Sequence, residues 1–290
     1  MPGPRPQSID VFPLSGPLGA EVRGLDLSRP LSSREFGVIR KAWLTYIVLL
    51  FKEQQLSDAD LVQFSRRFGV LDVAPMSDIG ISSAPNFPEI FVLSNVVEKG
   101  RPIGTHGPRE VQWHTIMSYT RHPPMANVLY AIEVTHRGGE SGFLNMYLAL
   151  ETLSRDLRTR IEGRTAKHDA TIDSAGRLRS GAQEIEDPAQ GPGAHHPLIV
   201  SHPDTHREAL YLGRRKNAHI DGLLRAESEA LLDALWKHAT EERFAWHHHW
   251  RLGDLILWDN RVTLYRRTTF DPNERRIMHR TQIRSSLFGY

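Results

Sequence analysis

The chain has 290 residues, of which 40% are hydrophobic and 24% are charged, as is typical of a globular protein with a large core. Its formal net charge of +2 predicts no nucleic-acid partner and no attraction to a membrane surface, and no apolar run approaches the roughly 20 residues of a membrane span. The lack of cysteine excludes disulfides, iron–sulfur clusters and thiolate zinc sites. The first residues lack the apolar segment of a signal peptide, so we expect a cytoplasmic protein.

The N-terminal part of the chain predicts short strands and two helices. Ser32 and Glu35 have the spacing of a capping box, which predicts a helix that ends at about Leu44. A second helix is predicted to begin at Ser57 and to end near Gly69. Residues 1–7 are expected to be disordered, and strands are predicted at residues 9–14, 20–22 and 46–51.

From Glu89 onward, short strand-like runs separated by turn residues predict a sheet sandwich or barrel. These runs are residues 90–93, 126–132, 198–200, 209–212, 255–258 and 277–283, with helices predicted at 146–153 and 227–239. Residues 173–194 are rich in Gly, Ser, Asp and Pro and are predicted to form a long mobile loop. No internal repeat is present, and residues 1–290 are interpreted as a single domain.

Three segments follow the order of a non-haem iron oxygenase site, which places two histidines and one carboxylate on one face of the metal. The first segment supplies His114, but the carboxylate expected two residues later, on the same face of a strand, is replaced by Ile116. In the second segment, Tyr265 stands where a second histidine is expected. Isoleucine offers no lone pair, and a tyrosine phenol ordinarily keeps its proton up to about pH 10, so ligation by Tyr265 is costly. Alternatively, His114 is a hydrogen-bonded core residue and Tyr265 a packed tyrosine.

The third segment contains Arg276 and Arg280, which a strand over residues 275–283 would place on one face together with Met278. Two arginines inside a barrel need anionic partners, because unpaired buried charge is costly. The functional interpretation is bidentate binding of a carboxylate co-substrate or substrate. The alternative is a structural salt bridge to Asp254, Asp259 or Glu274.

Other polar residues are weaker candidates. A Gly-Gly turn leads to Ser141, whose hydroxyl can donate to a carboxylate. His247 and His249 are predicted on one face of a strand, where they bind a metal or are simply surface residues, and His248 points away. Four further histidines are predicted to be exposed to solvent: His195, His196, His202 and His206.

Taken together, these segments resemble the taurine dioxygenase family, the TauD/TfdA-like Fe(II)/2-oxoglutarate-dependent oxygenases. The resemblance covers nearly the whole chain, in residues 18–27, 64–69, 113–115, 138–145, 196–198, 209–211, 258–263 and 275–280. It implies an α+β, mainly β fold: a double-stranded β-helix (jelly-roll) core with flanking helices. It also implies 2-oxoglutarate decarboxylation, hydroxylation of an unactivated C–H bond, and a homo-oligomer.

The resemblance assigns roles residue by residue. His114 matches the first iron ligand, and Ile116 and Tyr265 match the family's Asp ligand and second His ligand. Arg276 matches the arginine that holds the distal carboxylate of 2-oxoglutarate, with Ser141 in the place of a supporting threonine. Substrate binding falls to two residues, Arg280 and Tyr119, while a substrate-contacting histidine of the family is replaced near Ala74, which disfavours taurine.

These substitutions favour a degenerate oxygenase with weak or absent iron binding that retains a pocket for a small carboxylate or other anion. Changing only the groups that orient metal ligands already costs about 10–100-fold in affinity or activity, and here two of the ligands themselves are replaced. One alternative is an active enzyme with a rebuilt metal site in which His106 or Tyr265 joins His114. Another is a metal-free enzyme that uses Arg276, Arg280 and Tyr265 as an acid–base group. A last one is that the two substitutions were engineered to trap an inactive form.

Overall fold

A computed structural model of the chain describes residues 8–74, 83–105, 107–213 and 216–285. Residues 1–7, predicted to be disordered, lie outside the described part. The strands are β1 (Asp10–Pro13), β2 (Ala20–Arg23), β3 (Val48–Phe51), β4 (Ser83–Ala84), β5 (Phe87–Ser94), β6 (Val97–Glu98), β7 (Arg101–Pro102), β8 (Val111–His114), β9 (Ala126–Glu133), β10 (Ser141–Asn145), β11 (Thr165–Asp169), β12 (Gly193–Pro197), β13 (Ile199–Ser201), β14 (Glu208–Leu210), β15 (His219–Ile220), β16 (Ala245–His248), β17 (Leu255–Asp259), β18 (Thr263–Arg267) and β19 (Ile277–Ile283). The helices are α1 (Ser33–Tyr46), α2 (Asp58–Arg66), α3 (Met146–Glu151), α4 (Arg155–Ile161) and α5 (Arg225–Ala239), with 3-10 turns at Pro188–Gln190 and Glu242–Phe244.

Two sheets form the core, and together with the helices they confirm the predicted jelly-roll class. The major sheet has the order β1-β2-β3-β17-β9-β19-β5-β4, and the minor sheet has the order β16-β10-β18-β8. Nearly all strand pairs are antiparallel; β2 and β3 pair in parallel. A third sheet, β12-β11-β15, adjoins the segment that follows β8, because Ala194 donates a backbone hydrogen bond to the Tyr119 carbonyl.

The alternation of side chains along the major sheet separates two apolar clusters. In β17, Ile256 and Trp258 point into the cluster between the two sheets, which also contains Phe143 of the minor sheet. Leu255 and Leu257 point to the opposite face, where they pack in a second cluster with residues of α1 and α2. Because both faces are covered, the first four residues of the strand are apolar, and the buried Asp259 ends it. The strand predicted at residues 255–258 is confirmed.

The two N-terminal helices begin where their capping boxes predicted. The Ser32 hydroxyl accepts from the Glu35 amide and the Glu35 carboxylate accepts from the Ser32 amide; Ser57 and Asp60 repeat the arrangement at α2. Among the described residues, no helix is both long and apolar enough to cross a membrane.

Residues 173–194 contain more local structure than the predicted loop. Arg177 bonds to Asp173 through its backbone and its guanidinium, the segment includes the 3-10 turn Pro188–Gln190, and it ends within β12. The proposed mobility of this segment stays a prediction.

A buried ion cluster joins the end of β17 to α1 and to the β13–β14 connection. Asp259 accepts two hydrogen bonds from the Arg261 guanidinium, at 2.9 and 2.6 Å, and lies 2.9 Å from His202 Nε2. Arg261 also contacts Asp204, which is bound by Arg40 of α1. Burial would raise the pKa of the Asp259 carboxyl, but the Arg261 charge and the hydrogen bonds from Arg261 and His202 outweigh burial and hold it well below its usual range.

We expect Asp259→Asn to lower the free energy of unfolding by about 3–5 kcal/mol at neutral pH, because Arg261 would remain buried with only the more exposed Asp204 as counter-charge. The depressed pKa means that this contribution is complete above about pH 5 and is lost as the pH falls below about 4. Urea unfolding of both proteins at several pH values measures it. The control is Glu151→Gln, which breaks the exposed pair with Arg207 and should cost less than about 1 kcal/mol. Equal effects of the two changes would contradict the prediction.

Candidate anion and metal site

The minor sheet brings three predicted site residues together. Tyr265 of β18 lies opposite His114 of β8 on one side and opposite Phe143 of β10 on the other. The His114 and Tyr265 rings are 5.9 Å apart between centroids. Ser141 is the first residue of β10. It lies opposite Arg267, which follows Tyr265 by two residues in β18. The resemblance therefore grouped residues that are neighbours in the fold.

The segment after His114 differs from the predicted strand. β8 ends at His114, and Ile116 opens a turn whose next residue, Met117, has a φ of 54°. The Asn260 side chain holds this turn: its Oδ1 accepts from the Ile116 amide at 2.9 Å, and its Nδ2 donates to the carbonyls of Ile116 and Pro124 at 2.9 and 2.8 Å. These three hydrogen bonds fix the turn at Ile116. The prediction that His114 and Ile116 share one face of a strand is therefore wrong, because the strand ends at His114.

The surroundings of Ile116 are apolar. Its side chain is 3% exposed and belongs to the cluster between the sheets, with Phe91, Leu129 and Met278. An aliphatic group among aliphatic and aromatic neighbours is satisfied without any ligand. This corner of the site offers a metal no donor from residue 116.

Tyr265 is packed and hydrogen-bonded. Its ring stacks on Trp258 at 5.3 Å with an interplanar angle of 14°. Its hydroxyl lies 3.2 Å from Ser141 Oγ, which also accepts from Trp250 Nε1 at 3.0 Å. The geometry matches the packed-tyrosine alternative, because the phenol already has a partner and a stacking surface.

Three arginines are buried beside this tyrosine. Arg276 and Arg280 were predicted, and Arg267 joins them; they are 5%, 8% and 4% exposed. Arg276 precedes β19, whose register shifts between Ile277 and Met278, so the two predicted arginines are not on one regular strand. Each of the three has a buried N–H group without a hydrogen-bond partner: Nη1 of Arg267, Nη2 of Arg276 and Nε of Arg280.

The predicted salt-bridge alternative is wrong for the described residues. The three carboxylates proposed for it have other partners: Asp254 binds His248, Asp259 binds Arg261, and Glu274 accepts from the His136 amide. Within residues 8–74, 83–105, 107–213 and 216–285, no carboxylate forms an ion pair with Arg267, Arg276 or Arg280.

Burial sets the electrostatics of this group. It lowers the pKa of Arg276 and of Arg280 to about 10, and it lowers the pKa of Arg267 as well. All three guanidinium groups are therefore still charged at neutral pH. A cluster of desolvated cations with free N–H groups is suited to bind an anion.

Tyr119 lies at the edge of the same region. Its half-buried ring lies under the Arg179 guanidinium at 4.4 Å, and its phenol is close enough to Arg280 to affect that charge. Ala74, near which the resemblance implies that the family's substrate-contacting histidine is replaced, is buried in the cluster that includes Ile116 and Tyr265.

Two of the histidines predicted to be exposed to solvent are buried. His196 and His202 were predicted to be exposed but are buried, because His196 binds the Ser118 and Thr120 carbonyls and His202 binds Asp259. His247 and His249 contact separate carboxylates, Glu242 and Glu140, rather than a common point. In the described part of the chain, no group of three or more His, Asp and Glu side chains could hold a metal ion.

Comparison with known proteins identifies the family. The model of the taurine catabolism dioxygenase TauD, TfdA family matches residues 10–282. The chain belongs to this TauD/TfdA family. It is 33% identical over 283 residues to pentalenolactone F synthase of Streptomyces arenae, with 93% of each chain covered, and 31% identical over 282 residues to the alpha-ketoglutarate-dependent 2,4-dichlorophenoxyacetate dioxygenase of Cupriavidus pinatubonensis, with 94% of this chain and 96% of the relative covered.

Solved structures agree with this assignment. A taurine dioxygenase from Burkholderia xenovorans has a TM-score of 0.78 and 31% identity, with 97% of this chain and 90% of that chain covered. AAD-2, solved with Mn(II) and N-oxalylglycine, has a TM-score of 0.77 and 27% identity, with 97% and 98% covered. The TauD/TfdA family uses Fe(II) and 2-oxoglutarate, so the described residues can be compared with the needs of both cofactors.

The described residues fit an oxoacid but not the iron of the TauD/TfdA family. His114 remains, whereas the neighbouring positions offer an aliphatic group and a hydrogen-bonded phenol. His106, the other histidine suggested for a rebuilt site, lies outside the described residues. The buried guanidinium groups, in contrast, offer free donors of the kind that a carboxylate accepts.

Sequence reasoning missed two residues of this site. Arg267 lies two positions after Tyr265, so the strand alternation that paired other residues would also have placed it on the Tyr265 face. Asn260 was noted only as part of a motif, and the turn that it binds is more than 130 residues away in sequence, so no local pattern could reveal it.

We expect Asn260→Ala to loosen the turn after His114, because three side-chain hydrogen bonds disappear. At about 1 kcal/mol each, their loss should lower the free energy of unfolding by about 3 kcal/mol. Amide exchange at Ile116 should accelerate more than exchange in β17. Asn273→Ala, which removes only the exposed hydrogen bond from Asn273 Nδ2 to Asp271, is the control and should change neither quantity. Unchanged exchange at Ile116 in Asn260→Ala would show that the turn is held by other contacts.

Proposed function

We propose that this chain is a TauD/TfdA-family protein that binds a small carboxylate with its buried arginines and has lost the iron-dependent oxygenase chemistry. The proposal is carried by three buried guanidinium groups that no described carboxylate pairs with, together with the side chains at the positions that the resemblance matches to iron ligands. Binding of the anion would then be the function, as in a sensor or a partner protein.

The arginines support the binding part of the proposal. A buried cation without a counter-charge is costly, and a well-placed carboxylate removes that cost through charge-assisted hydrogen bonds. Arg276 and Arg280 lie on either side of the β19 start, near Ser141, Tyr265 and Tyr119, which are polar groups that can orient the ligand. The relative from Cupriavidus is named for a carboxylate substrate, which is consistent with a small organic acid as ligand here.

The ligand positions support the loss of iron chemistry. Tight and controlled binding of Fe(II) by this type of site needs the two histidines and the carboxylate together. Ile116 cannot donate electrons, and the Tyr265 hydroxyl is bonded to Ser141. With most donors replaced, we infer that iron is bound weakly or not at all, while the anion pocket is retained.

We expect Arg276→Gln to weaken binding of 2-oxoglutarate about 10–100-fold, because one charge-assisted hydrogen-bonded partner is removed. Titration calorimetry in excess chelator measures binding without metal. The matched control is Arg275→Gln: this neighbour is exposed and pairs with Glu133, so the affinity should stay within about twofold of wild type. Arg276→Gln should not lower the melting temperature, because an unpaired buried charge is removed. Absence of binding by the wild type, with and without Fe(II), would reject the proposal.

The double change Ile116→Asp with Tyr265→His should restore iron binding, because it completes the two-histidine, one-carboxylate set around His114. We expect close to one Fe(II) per chain and release of succinate from 2-oxoglutarate, against values near background for wild type. Metal analysis and a succinate assay, both on wild type, each single variant and the double variant, provide the comparison.

The same assays separate the alternatives. Wild-type turnover that requires Fe(II) would favour an active oxidoreductase with a rebuilt metal site. Wild-type turnover that persists in chelator and disappears in Tyr265→Phe would favour a metal-free enzyme, the candidate that the Tyr265 hydroxyl beside Arg276 and Ser141 suggests. Either result would contradict the binding-only proposal.

A further inference from the structure

Arg267 is a third cation that the resemblance does not assign. It occupies the last position of β18, on the same alternating face as Tyr265, and it lies opposite Ser141 of β10. Its side chain is buried, so its charge faces the interior of the site rather than solvent. Arg267 therefore belongs to the same buried site as Arg276 and Arg280, although it lies in β18, whereas Arg276 precedes β19 and Arg280 lies within it.

The contacts of Arg267 hold one part of its guanidinium and leave another part available. Nη2 donates to the carbonyls of Gly107 and Arg109, at 2.9 and 2.6 Å. The group lies over the Phe270 ring at 4.9 Å, while Nη1 is buried without a partner. Two carbonyl bonds and a ring fix the orientation, so the remaining donor is preorganised for a ligand.

Arg267 and Arg276 form a pair. The Arg276 guanidinium lies 5.8 Å from the centre of the same Phe270 ring, and the charge of Arg267 acts to lower the pKa of Arg276. Two like charges that are this close and both buried repel each other, and no described carboxylate separates them. A single carboxylate at this end of the pocket would compensate only one of them.

We propose that the end of the pocket formed by Arg267 and Arg276 binds a group with two negative charges. The ligand class is then an organic acid that carries a phosphonate or phosphate group, or two adjacent carboxylates, at one end and a carboxylate near Arg280 at the other. This inference rests on the proposed anion-binding function and narrows it. A purely structural role for Arg267, as a clamp on the Gly107 and Arg109 carbonyls, is the alternative.

Three acids test the charge of the end group. Glutarate and 4-phosphonobutyrate have the same number of methylene groups and differ in the end group, and propane-1,2,3-tricarboxylate carries adjacent carboxylates. We expect wild type to bind at least one of the two trianions about 10-fold or more tightly than glutarate by titration calorimetry in chelator. Which trianion is preferred distinguishes phosphonate from tricarboxylate as the source of the charge.

Variants of Arg267 test whether this residue causes the preference for a trianion over glutarate. Arg267→Met keeps the side-chain length and removes the charge, so it should reduce the preference to about threefold or less while binding of glutarate persists. Arg267→Lys keeps the charge and should retain part of the preference. Arg266→Met is the matched control, because this neighbour points to the other face, over Trp113, and should leave the preference unchanged.

The outcomes separate the two proposals. If wild type binds glutarate but prefers neither trianion, the inference about Arg267 is wrong and the anion-binding function stands. An unchanged preference in Arg267→Met, with a lower melting temperature, also overturns the inference and assigns Arg267 the structural role. If wild type binds none of the acids, both proposals fail.

Discussion

Buried positive charge that no carboxylate of the described residues pairs with is the constraint on which this site depends. Arg267, Arg276 and Arg280 are buried between strands whose other inward side chains are apolar or neutral. Proteins seldom bury cations without partners, because the loss of hydration is not recovered. The proposed anion would recover this cost, whereas packing alone would be served better by methionine or leucine.

Three consecutive residues at the end of β17, from Asp259 to Arg261, connect this pocket to the rest of the fold. Asp259 and Arg261 form the buried ion cluster with α1 and the β13–β14 connection, and between them Asn260 binds the turn after His114. The same short segment therefore binds both α1 and the turn after His114, although the two are distant in sequence.

The sequence predicted the fold well because the period-2 and capping patterns are local. The covered faces of β17 and the two capping boxes follow directly from residue order. The site was predicted in part: the resemblance located Ser141 and Tyr265, and the structure places them in contact. The failures have different causes. The burial of His202 depends on Asp259, far away in sequence, whereas the position of Arg267 on the Tyr265 face follows from strand alternation and was overlooked.

The two positions that the resemblance matches to iron ligands and the buried arginines have opposite consequences for stability. A buried aspartate at position 116 would need a cation to balance its charge, whereas Ile116 is satisfied by the apolar cluster to which it belongs. Tyr265 likewise gains Trp258 as a stacking partner and Ser141 as a hydrogen-bond partner. Within the described residues, Ile116 and Tyr265 are therefore satisfied by contacts inside the protein, whereas the three arginines have buried N–H groups that the proposed anion would satisfy.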